Sequence, residues 1–162
     1  MKHHDPTAPL PPEYRIRQCR REDLFGVIHV DAMAFAGHDL FPGFFFVQAL
    51  DICGDGFLIA DFHNEIVGYA IAARRQDEVL QGWILSTGVL PDHQRRGIGS
   101  NLTAQVELFL ARAGVSATVL TVDPENATAL RFYQRLGYEQ VSRFPDHFGE
   151  REDRILMKRR LN

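Results

Sequence analysis

The sequence predicts an α/β protein, a mixed sheet with helices packed on its faces. Three observations lead there. The chain has 162 residues, one domain by length and enough for a core of two or three layers. Its apolar residues switch between a period of two and a period near 3.6, in the order β-α-α-β-β-β-α-β-α-β-β. It is 45% hydrophobic and 24% charged, the balance of an ordinary globular protein.

Residues 1–13 hold four prolines (Pro6, Pro9, Pro11 and Pro12) and read as a flexible lead-in to a domain over residues 14–162. Tyr14–Cys19 alternates as a first strand, with Tyr14 and Ile16 on one face. Arg21–Phe35 carries Leu24, Val27, Ile28, Asp31 and Phe35 at helical spacing, with acids in its first turn. Residues 37–43 break the chain, Phe44–Ile52 reads as a second helix, and Gly54–Gly56 is a turn. Phe57–Phe62 and Glu65–Arg75 are strands joined through His63 and Asn64 as a hairpin. Val79–Leu90 is a long strand in which Gly82 and Gly88 suggest a bulge or a close backbone approach.

Ile98, Leu102, Val106, Phe109 and Ala113 follow a 4-4-3-4 spacing, one face of a helix that stops at Gly114. Ala117–Val122 is a short buried strand. The next helix lies between Pro124 and Gly137 and is expected to bury Ala129, Leu130, Phe132, Tyr133 and Leu136. Tyr138–Phe144 and Asp153–Leu161 close the chain as two strands around a loop.

Eighteen basic and 21 acidic residues give a net charge of −3, which argues against a bulk nucleic-acid footprint. Cys19 and Cys53 are too few and too far apart for a disulfide framework or a zinc site. They read as reduced thiols and fit a cytoplasmic setting. No apolar run reaches the roughly 20 residues of a membrane span, and Leu40–Leu50, the most apolar piece, is too short. The N-terminus has no apolar core of a signal peptide. The seven histidines show no metal-ligand spacing, so no metal is expected. No serine sits in a GxSxG elbow.

The stretch Gln94-Arg95-Arg96-Gly97-Ile98-Gly99-Ser100 falls where a strand hands over to a helix. The first N–H groups of a helix have no intrahelical partner and sit at its positive dipole end. Glycine lets a phosphate approach that backbone, and Arg95 and Arg96 add charge. The sequence has no GxxxxGK[ST] loop, and Leu102 stands where a dinucleotide fingerprint wants glycine or alanine. The junction therefore suits some other phosphate carrier.

Two ordered signatures identify the carrier. One is Gln94 to Gly99 preceded by Val89 and Pro91; the other runs from Asn126 through Phe132 and Tyr133 to Gly137 and Tyr138. With them the chain, from about Tyr14 to Leu161, resembles the GNAT superfamily of acyl-CoA-dependent N-acetyltransferases. Near its end, "GEREDRILM" resembles the ribosomal-protein alanine N-terminal acetyltransferases, whereas the central loop "AGHDLFPGFFF" does not follow them. The resemblance implies a central, mostly antiparallel sheet of six to seven strands with a splayed strand pair, flanked by about four helices. It implies acetyl-CoA as cosubstrate, with the pyrophosphate on the amides of Arg95 to Ser100. Main-chain groups of Thr87, Gly88 and Val89 would take the pantetheine and the thioester oxygen. Asn126 matches the cofactor-contacting asparagine and also suits a helix N-cap. Tyr133 matches the tyrosine that protonates the departing thiolate.

Acetyl transfer needs a neutral amine, and the ordinary pKa of an α-amine is about 8 against about 10.4 for lysine. A general base therefore matters. Relatives that act on N-termini carry glutamate or histidine five residues before the asparagine; here that position is Thr121, which is no base near neutral pH. Asp123 shares its face if the strand continues that far. Glu78, Glu125, Asp146 and His147 are the other candidates, and a water on Thr121 is a possible relay. The leading expectation is an N-acetyltransferase of primary amines, on peptide or protein N-termini or lysine before polyamines or aminoglycosides. A non-catalytic acyl-CoA sensor and a nucleotide-binding regulatory domain are the other readings. The expected form is a monomer or homodimer, with neither nucleic acid nor membrane as partner.

Overall fold

The computed structural model describes residues 9–36, 40–78 and 80–161. The expectations for residues 1–8 of the lead-in, for residues 37–39 of the central loop, for Val79 and for Asn162 lie outside the described residues. In chain order the elements are β1 (Tyr14–Gln18), α1 (Leu24–Ala34), α2 (Gly43–Cys53), β2 (Phe57–Phe62), β3 (Glu65–Arg74) and β4 (Gln81–Val89), followed by α3 (Ile98–Arg112), β5 (Ala117–Val122), α4 (Ala127–Arg135), β6 (Glu139–Phe144) and β7 (Arg154–Arg160). The strands form a seven-stranded mixed sheet in the order β1-β2-β3-β4-β5-β7-β6. The order of strands and helices is the one the periodicities predict. Two compact units share the chain: Met1–Ala73 with Ile84–Leu110, and Arg74–Trp83 with Ala111–Asn162.

In the first unit β1 and β2 are antiparallel from Tyr14↔Phe62 to Gln18↔Leu58, and β2 pairs with β3 in the same sense. The hairpin turn at His63 and Asn64 has φ of 49° and 69°, the left-handed pair whose twist matches its strands. Val27, Val30, Phe46, Phe57, Ile59 and Ile71 are fully buried and form the core on which α1 and α2 sit. The helix expected from Arg21 begins instead as a single 3-10 turn, Arg21–Asp23, with α1 starting at Leu24. The reason is Asp23, which is more than a favourable acid at a helix start. It is buried, takes both Arg17 guanidinium nitrogens at 2.6 and 2.8 Å, and accepts the Arg20 N–H at 2.8 Å. α2 follows Pro42, whose φ of −65° and missing N–H suit the residue before a helix.

In the second unit β4 and β5 run parallel over Gln81↔Ala117 to Trp83↔Val119. β5 pairs antiparallel with β7 along its whole length, and β7 with β6 across a register shift between Gln140 and Ser142. Tyr138 is buried and its hydroxyl bonds Thr118 Oγ1 at 2.8 Å. Gly137, at φ +88°, ends α4 as a left-handed stop. Helix α4 corrects one expectation: Ala129, Leu130, Phe132, Tyr133 and Leu136 are half-buried, and none is fully enclosed. Their spacing marks an apolar face correctly, but spacing does not say how completely that face is covered.

Candidate active site

After Val89 the chain makes a 3-10 turn at Pro91–His93 and enters α3 at Ile98. The loop between is shaped by two left-handed residues, Arg95 at φ +59° and Gly97 at φ +83°. Its base is closed by side chains. The Gln94 amide donates to the Val89 carbonyl at 3.1 Å, and Arg96 donates to the Asp92 carbonyl at 3.2 Å. The Gly97 carbonyl accepts both the backbone N–H and the side-chain amide of Asn101, at 2.9 and 3.0 Å. With that bond as the first of the helix, the N–H groups of Ile98, Gly99 and Ser100 have no acceptor one turn back.

This helix end is pinned. Ile98 is 1% exposed, and a Cβ on Gly68 would lie 3.2 Å from Ile98 Cγ2, Leu102 Cδ1 and the Gly88 carbonyl oxygen. Glycine at residue 68 thus eases the close approach of Ile98 and Leu102, which a side chain there would push back by a few tenths of an ångström. The result is a fixed, positively polarised backbone, which suits a polyphosphate.

On β4, Thr87 Oγ1 is a buried side-chain oxygen for which the described residues supply no hydrogen-bond partner. Such an atom is costly to leave alone and is a reason to look for a ligand there. The sequence reads Gly88 as a bulge or a close backbone approach, and the close approach is to Tyr69: a Cβ on Gly88 would meet its ring at 2.7 Å. Sequence reasoning missed what surrounds that ring. Tyr69 Oη donates to Asp31 Oδ1 at 2.6 Å and lies 2.7 Å from Ser86 Oγ. Burial raises the pKa of Asp31, while the bonds from Tyr69 and from the Phe41 backbone act the other way. The signal was present: Asp31 is an acid on the apolar stripe of α1.

In the second unit Asn126 caps α4, its Oδ1 accepting the Ala129 N–H at 2.9 Å. The N-cap reading of this residue is correct. Tyr133 is half-buried, its ring 4.9 Å from Phe132 and 5.5 Å from Tyr138. Thr121 is half-buried on β5, paired with Leu156. Asp123 does not share its strand face, because β5 stops at Val122. Instead Asp123 Oδ1 accepts the Glu125 N–H at 2.8 Å and builds the turn into α4.

The remaining acids and the histidine have structural partners in most cases. Glu78 pairs with Arg75 at 3.1 Å, Asp146 accepts the Arg151 N–H at 2.6 Å, and His147 stacks on Phe144 with centroids 5.2 Å apart. Glu125 is exposed. Among the described residues no three His, Cys, Asp or Glu side chains gather as a metal centre would require. No described helix is long and apolar enough to cross a membrane. Burial pushes the Cys19 thiol up to about 12, so it is no nucleophile.

A sequence model of the Acetyltransferase (GNAT) family matches residues 19–138, and the chain belongs to that family. It is an N-acetyltransferase by that membership and by its relatives. An N-alpha-acetyltransferase of Sulfurisphaera tokodaii is 28% identical over 155 residues, covering 90% of this chain and 92% of that protein. The Escherichia coli ribosomal-protein-S18-alanine N-acetyltransferase is 24% identical, with a TM-score of 0.75 over 92% of this chain and 94% of that one. Arabidopsis thaliana Naa50, solved with the bisubstrate analogue CoA-Ac-MVNAL, gives a TM-score of 0.78 at 19% identity, covering 91% and 98%.

Proposed function

We propose that this protein moves the acetyl group of acetyl-CoA directly to a primary amine within a ternary complex, with peptide or protein N-terminal amines or lysine favoured as acceptor. The observation that carries the reading is the start of α3, where Arg95 and Gly97 turn left-handed and the N–H groups of Ile98, Gly99 and Ser100 have no acceptor one turn back. The N-alpha-acetyltransferase relative and the bisubstrate complex of the Arabidopsis protein support the same donor and acceptor classes.

In this reading the amides from Arg95 to Ser100 take the pyrophosphate, with the Arg95 and Arg96 charges beside it. Backbone groups from Thr87 to Val89 align the pantetheine and polarise the thioester carbonyl, while Thr87 Oγ1 gains a partner. Gln94, whose side chain bonds the Val89 carbonyl and shapes the loop, is taken with these residues as cofactor-binding. Asn126 contributes from the start of α4. The neutral amine attacks the carbonyl carbon and forms the new C–N bond. The tetrahedral intermediate then collapses with loss of the C–S bond. Tyr133 gives its proton to the thiolate, and the amine's extra proton leaves to a base. Thr121 serves as an anchor for that proton's path, and Asp123 has a second carboxylate oxygen to accept it.

Calorimetric titration with coenzyme A and with ATP tests the donor half of the proposal. Micromolar binding of coenzyme A that ATP does not displace is expected. Equal competition by ATP would favour a nucleotide-binding regulator instead.

A further inference from the structure

The hydrogen-bonded chain from Asp31 through Tyr69 to Ser86 has no part in the chemistry above, and it belongs wholly to the first unit. Tyr69 is fully buried and sits at its centre. Its hydroxyl proton goes to Asp31 at 2.6 Å, which leaves its oxygen to accept from Ser86 at 2.7 Å. Asp31, 2% exposed, also receives the backbone of Phe41, just before α2. The Tyr69 ring is held edge-to-face by Phe46 at 5.7 Å. Both Tyr69 and Phe35 close on Gly88, where a Cβ would meet them at 2.7 and 3.4 Å.

Strand β4 needs such a hold. Its parallel ladder with β5 covers Gln81 to Trp83, and Ser86 lies three residues beyond. A segment that gives up strand pairing on one edge has fewer backbone bonds to fix it, so side chains must do so. We infer that Asp31, Tyr69 and Ser86 are positioning residues for acyl transfer, holding the Ser86–Val89 segment of β4 to α1 and to the chain entering α2. Through Asp31 the same device ties the Phe41 backbone to β4, so the residues before α2 and the thioester strand keep one fixed geometry. This rests on the reading that Thr87 to Val89 align the thioester. A displacement of about an ångström at reacting atoms is enough to lower turnover steeply.

Tyr69→Phe is the discriminating variant, because it keeps the ring against Gly88 and removes both hydroxyl bonds. Turnover should fall about tenfold or more, while coenzyme A binding, held by the separate loop at Arg95 to Ser100, stays within about twofold of wild type. Ser86→Ala, at a half-buried strand position, should show a smaller loss in kcat. The double variant should be no slower than Tyr69→Phe alone, since one chain is cut in both. Asp31→Asn keeps an oxygen for Tyr69 and should retain more turnover than Asp31→Ala.

Wild-type kcat in folded Tyr69→Phe and Ser86→Ala would overturn the inference. So would losses in kcat and in coenzyme A affinity by the same factor, in step with a lowered Tm, since that is general destabilisation. A wild-type protein that neither binds coenzyme A nor transfers acetyl would fail the functional reading itself, a separate result.

Discussion

Gly88 lies against the ring of Tyr69, so close that a Cβ on Gly88 would be 2.7 Å from Tyr69 Cε1. The ring cannot step aside, because its hydroxyl is bonded to Asp31 and Ser86 and no part of it reaches solvent. Gly88→Ala should therefore cost about 1–3 kcal/mol of stability, the usual range for an added methyl in a filled core. Thermal unfolding measures it. An unchanged Tm would show that Tyr69 has room the structure does not reveal.

Gly97 at φ +83° opens the anion loop. An alanine there costs about 1–2 kcal/mol if the backbone stays left-handed, and the loop reshapes if it does not. Either way the amide cradle is compromised. Gly97→Ala should weaken coenzyme A binding by about tenfold or more, which is about 1.4 kcal/mol. Titration calorimetry at fixed salt reads this directly, and undiminished affinity would remove the loop from the binding site.

The sequence carries the order of elements because periodicity and turn chemistry are local properties. The hairpin at His63 and Asn64 and the N-cap at Asn126 are examples: each needs only its own few residues, and each stands where the pattern puts it. Asp123 shows the limit. Whether it faces with Thr121 depends on where β5 stops, and the Asx turn to Glu125 that stops it is one of several structures those residues support. Asp31, Tyr69 and Ser86 show the other limit. The bonded pairs are 38 and 17 residues apart in sequence, and their bonds exist only once α1, β3 and β4 have packed. An acid on an apolar stripe is the one clue legible beforehand.

Asp23 makes stability depend on pH in the acid range. The bonds from Arg17 hold its carboxyl below the ordinary carboxylate value against the opposing effect of burial, and the Arg20 backbone adds to the shift. A lowered folded pKa means this contribution is complete above the unfolded value of about 3.9 and is lost as pH falls through the folded one. Asp23→Asn should be less stable than wild type by about 2–3 kcal/mol at neutral pH, and the gap should narrow below about pH 4. Denaturant titrations of both proteins across that range supply the comparison. The difference is the safe quantity, because Asp31, with its raised pKa, contributes with the opposite sign. A gap constant with pH would mean the Arg17 pair is not what holds Asp23.

Tyr133 is half-buried on α4, with its ring against Phe132 and Tyr138. If it protonates the departing thiolate, Tyr133→Phe should lower kcat by about a hundredfold. Coenzyme A affinity and Tm should hold, because the ring packing remains. Stopped-time assays at saturating acetyl-CoA separate the two effects. Full turnover in the variant would assign the proton to another donor.

Acetyl transfer from acetyl-CoA to a primary amine is the reaction proposed for this protein. The direct measurement is coenzyme A release with three acceptor sets: peptides with free N-termini, α-blocked lysine peptides, and small polyamines or aminoglycosides. Acceptor-dependent release is expected with the peptide amines, with mass gain of one acetyl group on the peptide. Tight acetyl-CoA binding with no release above the acceptor-free rate in any set would contradict transfer to these amines and would favour an acyl-CoA sensor or an acceptor outside the three sets.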